Sequence, residues 1–465
     1  MLRLALDAEG TLVEQVVGAI TGLIDGRQLA PGQKLPSVRV LAESHGISKS
    51  TVVEAYDRLV AEGKLTSRPK SGFFVNGRRG AMKMRAEDLP PEWEADPAWT
   101  LRYALRPGPE FLRPGCGWLP EDWMDGEAVQ RALRAVARSP RGHLTQVGAP
   151  LGFAPLRSQL QAVFANRGIE VPPSRILITD GATHAVDLVI RLLVQPGDTV
   201  FVDDPCYLRF ISLLRVARAK IVGIPFRETG PDTDVFAVEA ERHRPVLYVT
   251  NSALHNPTGA TVSPAVAHRL LRIAEAQDIA IVEDDIYADF EEQPGPRLAA
   301  MDQLARVIYV GSFAKSLSGA ARCGWIAARQ DWIEQLTKLK LATVNANDEI
   351  SAQIVCRVLT DGSYRKHTDA VRSRLRPAAL QVRRRMEALG LTFAIEPQGG
   401  LFVWGRFPDG VDTAQLVERA VGKGIAMAPG NAFSISRTAT ACMRFNVAHT
   451  HNERIYAFLK QELAG

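Results

Sequence analysis

Hydrophobic spacing sets the first elements. Leu12, Val13, Val16, Val17, Ile20, Leu23 and Ile24 recur at the three-and-four spacing of one helical face, and Gly26 with Pro31-Gly32 stops the run. Pro36-Ser37 then opens a second helix, with Ser37 as N-cap and Val38, Leu41 and Ala42 turned inward as far as Gly46. After the turn Gly46-Ile47, Ser48 caps a third helix with Val52, Ala55, Tyr56, Leu59 and Val60 on its inner face, closed by Gly63. Two helices joined by a glycine-containing turn form a helix-turn-helix pattern. Residues 64–67 and 73–75 read as strands around a tight basic loop, Arg68-Pro69-Lys70-Ser71-Gly72, which is a wing.

Beyond residue 171 the pattern changes. Short β-rich runs alternate with helical stretches: RILIT at 175–179, TVFVD at 199–203, KIVGI at 220–224, VLYVT at 246–250, IAIVE at 279–283 and RVIYV at 306–310. That alternation predicts an α/β fold with a mostly parallel sheet and helices on both faces. Between the two patterns, residues 76–113 carry Pro90-Pro91, Pro97, Pro107 and Pro109 with no sustained period, as a linker does. The expected organisation is therefore a winged helix-turn-helix at 1–77, a linker at 78–113 and a larger body at 114–465.

The length of 465 residues agrees with two or three units. Hydrophobic residues at 46% and charged residues at 23% describe a chain that folds. No apolar run approaches the roughly 18 residues of a membrane helix, and the N-terminus carries acids where a secretory signal is basic and then apolar. A cytoplasmic protein with no membrane partner is expected. Cys116, Cys206, Cys323, Cys356 and Cys442 lie far apart, with no metal-type spacing, and read as reduced thiols with no metal. A net charge of +5 does not by itself announce nucleic acid. Placement says more: from Lys64 to Arg85 there are seven basic residues and no acid, a stripe that meets phosphates.

The order PGQKLPSVRVLAESHGISKSTVVEAYDRLVAEGKLTSRPKSGFFV resembles the DNA-binding domain of the GntR family over its whole length. The resemblance implies that Arg39 holds a phosphate or base. It implies that Ser48, Lys49, Ser50 and Thr51 enter the major groove at the start of the recognition helix, and that Arg68, Lys70, Ser71 and Gly72 form the wing tip. Any one of these taken alone is also an ordinary solvated residue.

In open α/β sheets ligands bind at the carboxyl ends of the strands, and the polar residues concentrate there. The runs are followed by Asp180-Gly181-Ala182-Thr183, Asp204-Pro205-Cys206-Tyr207, Asn256-Pro257-Thr258-Gly259, Asp284-Asp285-Ile286-Tyr287, and Ser312-Phe313-Ala314-Lys315 with Arg322-Cys323-Gly324-Trp325. Pyridoxal phosphate needs a lysine to form an imine, an acid on its pyridine nitrogen, donors to its phenolate, a flat face and a phosphate cradle. The set holds one candidate for each.

Order and spacing resemble fold-type I aminotransferases of the aspartate aminotransferase class from about residue 113 onward. By position the resemblance makes Lys315 the Schiff-base lysine and Asp284 the pyridinium partner. Asn256 and Tyr287 become donors to the phenolate and Tyr207 the stacking ring; Ser312, Arg322 and the N–H groups of Gly181, Ala182 and Thr183 hold the phosphate. It assigns Arg444 to a substrate carboxylate, with Arg209 as a second candidate. Ordinary readings stand beside these: a strand-end charge for Asp284, a packing aromatic for Tyr207, a surface base for Arg322, a buried ion pair for Arg444. Lys315 lies in the small, apolar stretch GSFAKSLSGAA, where burial disfavours its charge and favours imine formation.

One segment departs from the pattern. Related aminotransferases read Tyr-Gly-x-x-x-Gly where this chain has Val147-Gly148-Ala149-Pro150-Leu151-Gly152, and their tyrosine reaches the cofactor phosphate of the partner subunit. Valine removes that contact, which weakens the expectation of transamination and leaves cofactor binding in place. A GntR-type head before an aminotransferase-like body resembles the MocR subfamily of bacterial regulators. The resemblance implies a homodimer on a double-stranded DNA operator, with an amine, an amino acid or pyridoxal phosphate itself as effector; an amine acts by displacing Lys315. A working aminotransferase with a regulatory DNA-binding head is the alternative.

Overall fold

The computed structural model describes residues 4, 10–26, 28–30, 32–68, 71–76, 111–138 and 145–464. Lys70 and nearly all of the expected linker lie outside these residues. The chain divides into two compact units, 1–85 and 86–465.

In the first unit, α1 (Leu12–Asp25), α2 (Val38–His45) and α3 (Lys49–Ala61) precede strands β1 (Leu65–Arg68) and β2 (Gly72–Val75). Each helix begins on a hydroxyl cap: Thr11 in a capping box with Glu14, Ser37 accepting from the Val40 N–H, and Ser48 accepting from the Thr51 N–H. Gly46 ends α2 in the left-handed conformation, the geometry that lets α3 leave at a sharp angle. Tyr56 ties the unit together. Its ring meets Phe73 of the wing edge-on at 4.7 Å, and its hydroxyl donates to the Pro36 carbonyl at 2.9 Å. Val16, Ile20, Leu41, Val52, Leu59 and Leu65 close the core around it.

The second unit is built on an eight-stranded sheet of β3 (Ile176–Thr179), β4 (Thr199–Asp204), β5 (Lys220–Arg227), β6 (Gly230–Pro231), β7 (Leu247–Thr250), β8 (Ala280–Asp284), β9 (Val307–Ser312) and β10 (Gly324–Ala327). Their order is β3-β10-β9-β8-β7-β4-β5-β6. The pairs among β5, β4, β7, β8 and β9 are parallel; β10 runs antiparallel between β3 and β9, and β6 antiparallel on β5.

Alternation along the strands fills two cores. Ile176, Ile178, Phe201, Tyr248, Ile281 and Tyr309 pack on one face, while Leu177, Val200, Val202, Val249, Val282 and Val310 pack on the other. Strands covered on both faces read as unbroken apolar runs, which is why they stand out in the sequence. A smaller antiparallel sheet, β11 (Phe402–Arg406), β13 (Cys442–Asn446) and β12 (Ala428–Pro429), follows a 25-residue helix, Ser363–Glu387. Among the described residues no helix is long and apolar enough to cross a membrane, and no group of side chains is arranged to hold a metal.

Candidate functional site

At the carboxyl ends of the parallel strands lies a small open cleft. Ala182, Thr183, Tyr207, Arg209, Asp284, Ser312, Lys315 and Arg322 all line it, drawn from the ends of β8 and β9 and from the segments that follow β3, β4 and β9. The parallel arrangement explains the convergence, because it points every one of those turns to the same edge.

One end of the cleft is a cradle of backbone. Gly181 takes φ +101° and opens the helix Ala182–Leu193, whose start has no side-chain cap. A Cβ there would stand 2.9 Å from the Arg322 guanidinium, so this position needs glycine for both its backbone angle and its closeness to the arginine. Arg322 Nη2 donates to the Asp180 carbonyl at 2.9 Å, and the Ser312 hydroxyl donates to the Cys323 carbonyl at 2.9 Å. Free N–H groups at a helix start, an arginine and a hydroxyl suit a phosphate.

The other end is buried and acidic. Asp284 accepts from the Ile286 N–H at 3.2 Å, and the Asn251 amide donates to the Asp284 carbonyl at 2.8 Å. Burial lifts the Asp284 carboxyl to about 7. Lys315 moves the opposite way, to about 8, first through burial and then through the charges of Arg209 and Arg444. A lysine held there is neutral far more often than an exposed one, and a neutral amine is the nucleophile.

Behind the cleft three expected residues form one chain. Arg444 Nη1 donates to Asn256 Oδ1 at 2.8 Å, and Asn256 Nδ2 donates to the Tyr287 hydroxyl at 3.2 Å. All three are buried. Burial holds the Tyr287 phenol well above its ordinary range, so it stays a donor. Arg444 also donates to the Gly115 carbonyl at 2.6 Å, and its Nε is buried without a partner among the described residues. The Phe402 and Phe433 rings lie 4.5 and 4.6 Å from the guanidinium. No carboxylate pairs with it among the described residues, so the ion-pair reading of this arginine has no support. Arg209 lines the cleft and donates from Nε to the Tyr207 hydroxyl at 3.0 Å.

Sequence reading missed Asn251, Gly115 and Gly117. A Cβ on Gly117 would lie 3.9 Å from both Lys315 Nζ and Arg444 Nη2, so this turn roofs the space between them. Its signal was faint: two glycines around Cys116, just beyond the proline-rich stretch. Asn251 directly follows β7, ahead of the more conspicuous Asn256-Pro257-Thr258-Gly259.

On the head, Ser48, Lys49 and Ser50 are exposed at the start of α3 and Thr51 is half-buried. The Ser48 hydroxyl lies 2.7 Å from that of Ser50 and 2.8 Å from that of Thr51, a local cluster that occupies all three. Lys49 makes no ion pair among the described residues. Arg39 is exposed and bound to Glu43 one turn on, at 2.8 Å. Arg68 pairs with Gly72 through the strand ladder, and Ser71 is exposed at the turn between them.

Residues 119–460 match the family model for aminotransferase class I and II, and residues 12–75 match that for bacterial regulatory proteins, gntR family. The chain is 28% identical to the uncharacterized HTH-type transcriptional regulator YdfD of Bacillus subtilis, covering 90% of this chain and 89% of that one. It is 27% identical to the probable rhizopine catabolism regulatory protein MocR of Rhizobium meliloti, over 92% and 88%. The crystal structure of Pyrococcus horikoshii kynurenine aminotransferase superposes with a TM-score of 0.72 at 26% identity, covering 83% of this chain and 96% of that one.

Proposed function

This chain belongs to the class I and II aminotransferase family through its body and to the gntR family of bacterial regulatory proteins through its head, and we propose from this that it is a DNA-binding transcription regulator of the MocR type that holds pyridoxal phosphate on Lys315. The observation that carries the reading is the convergence of Lys315, Asp284 and the Gly181 cradle in one cleft of a chain that begins with a helix-turn-helix.

The residues fit the cofactor. The cradle accepts a dianion, and the partnerless Arg444 Nε and Asn251 Oδ1 are polar atoms placed for a ligand the protein itself does not supply. Bound there, pyridoxal phosphate supplies an aldehyde that condenses with amines and a ring that withdraws electrons. Lys315 is the amine that holds it, and so the group with which an amine or amino-acid effector competes. Asp284 keeps the ring nitrogen protonated: a cation beside it favours its carboxylate form, against the burial that now lifts it. Tyr207 supplies the flat face, Tyr287 and Asn256 the phenolate donors, and Ser312, Arg322 and the N–H groups of Gly181, Ala182 and Thr183 the phosphate site. Arg444 orients an effector carboxylate, and Arg209 is the second base near it.

In the head, Lys49 and Arg39 meet phosphates, Ser48, Ser50 and Thr51 approach the bases once their mutual hydrogen bonds open, and the wing tip of Arg68, Lys70, Ser71 and Gly72 follows the backbone. The protein works in the cytoplasm as a homodimer on a two-fold operator. The effector is an amine, an amino acid or the cofactor itself.

The test is the visible spectrum of the purified protein with candidate amines, run beside DNA binding at fixed salt. A lysine-dependent band that shifts with one amine and changes DNA affinity supports the reading. Unchanged DNA affinity in Lys315→Ala, with and without each amine, overturns it. Lys315 beside Asp284 in one cleft also favours a residual aminotransferase activity, lowered by the missing tyrosine at Val147, which multi-turnover conversion of an amino acid with a keto acid would reveal.

A further inference from the structure

Lys315 sits in a tight loop between β9 and β10, and the first turn of the helix Ser363–Glu387 grips that loop on both sides of the lysine. Two residues before it, the Phe313 ring packs edge-on against Tyr364 at 5.8 Å. One residue after it, the buried Ser316 hydroxyl lies 2.6 Å from the Tyr364 hydroxyl. Two contacts from one tyrosine, on either side of Lys315, tie the loop to the helix.

The same tyrosine also reaches the turn that follows β8. Its hydroxyl donates to the Asp289 carboxylate, two residues beyond Tyr287. Asp289 is held in turn by Arg167 at 2.8 Å, and its carbonyl accepts from Arg372 Nε, on the helix itself, at 2.9 Å. One hydroxyl therefore takes a bond from the lysine loop and gives one to the turn that carries Tyr287. A phenol does this without strain, being donor and acceptor at once. Nothing in the catalytic chemistry calls for a tyrosine here, which points to placement as its task.

We propose that Tyr364 is a positioning residue: through Ser316 and Asp289 it fixes Lys315 relative to the turn that carries Tyr287, so that the lysine amine is presented in a dry, preformed place. The proposal rests on the reading of Lys315 as the cofactor lysine. Loosening the loop admits water to the amine, whose neighbours are Arg209, Arg444, Cys116 and Asp284. Water favours its charged form and delays the appearance of the neutral nucleophile to higher pH.

The experiment measures cofactor uptake by the cofactor-free full chain as a function of pH, with melting temperature recorded on the same samples, for wild type, Y364F, S316A and the double variant. Wild-type uptake is expected to rise with a midpoint near pH 8, following Lys315. Y364F keeps the ring packed on Phe313 and loses only the hydroxyl, and its midpoint should climb by about half a pH unit or more. S316A should shift the midpoint in the same direction. Because both remove one shared bond, the double variant should move it by less than the two shifts added. A lowered melting temperature with an unmoved midpoint in Y364F, or fully additive shifts, would overturn the proposal. Absence of uptake by the wild type would instead sink the cofactor reading itself.

Discussion

The Asn256 amide donates to the Tyr287 hydroxyl at 3.2 Å, joining by one buried bond two residues that stand 31 positions apart in sequence. Each is therefore set by the other before any ligand arrives. N256A and Y287F should each weaken cofactor binding, by up to about tenfold. The double variant should lose less than the product of the two, and titration of the visible band measures all three. Strict additivity would mean that the pair does not act as one unit on the cofactor.

Asp284 carries a pH signature. Its carboxyl titrates at about 7 in the cofactor-free fold, whereas an unfolded aspartate titrates near 4. Between those values the folded chain holds a proton that the unfolded chain has released, so stability falls as pH rises through this window and stays low above it. D284N removes the loss. The cofactor-free variant should gain up to roughly 3 kcal/mol at pH 8 and almost nothing at pH 4, read as the difference in denaturation midpoints. Glu283, also raised to about 7, keeps its own slope of the same sign in both proteins. The same substitution should cost cofactor affinity at every pH.

At the start of α3, Ser48 and Lys49 do different work. S48A deletes the cap on the Thr51 N–H and should cost the head about 1 kcal/mol. K49A should leave stability unchanged and lower the slope of log affinity against log salt by about one, equally on all sequences. An unchanged slope would take Lys49 off the phosphate backbone.

Val147 is 73% exposed. Its segment is pinned from behind: the Leu151 carbonyl accepts from the Ile178 N–H at 3.0 Å, and the Pro150 carbonyl from buried Lys340 at 2.9 Å. A tyrosine at this position would stand in solvent, free to be taken up by a second copy. V147Y should slow cofactor release about fivefold, one hydrogen bond's worth, at concentrations where the protein is dimeric and not below them.

The strands of the large sheet were legible because burial on both faces makes each an unbroken apolar run; 199–203 and 246–250 fall on β4 and β7 almost residue for residue. β10 was not. Gly324–Ala327 is four residues long and follows directly on Arg322-Cys323, so its place between β3 and β9 has no local signal. In the head, the caps at Ser37 and Ser48 could be read because capping depends on one residue and its neighbours three positions on. Contacts made at a distance could not. The pairing of Arg39 with Glu43 is visible as a spacing of four, but Asn251 on Asp284 and Tyr364 on Ser316 join residues 33 and 48 positions apart, and no periodicity encodes them.

Arg444 bonds to Asn256 across 188 residues and to Gly115 across 329. Read as an order of synthesis, those separations mean that the ribosome delivers the roof first, the phenolate donor next and the guanidinium last. The head, whose core closes within residues 4–75, is complete long before any of them meet. A chain truncated before β13 thus keeps the residues of its helix-turn-helix and every residue that lines the cleft, and lacks the one guanidinium that ties the roof to the Asn256–Tyr287 pair behind it.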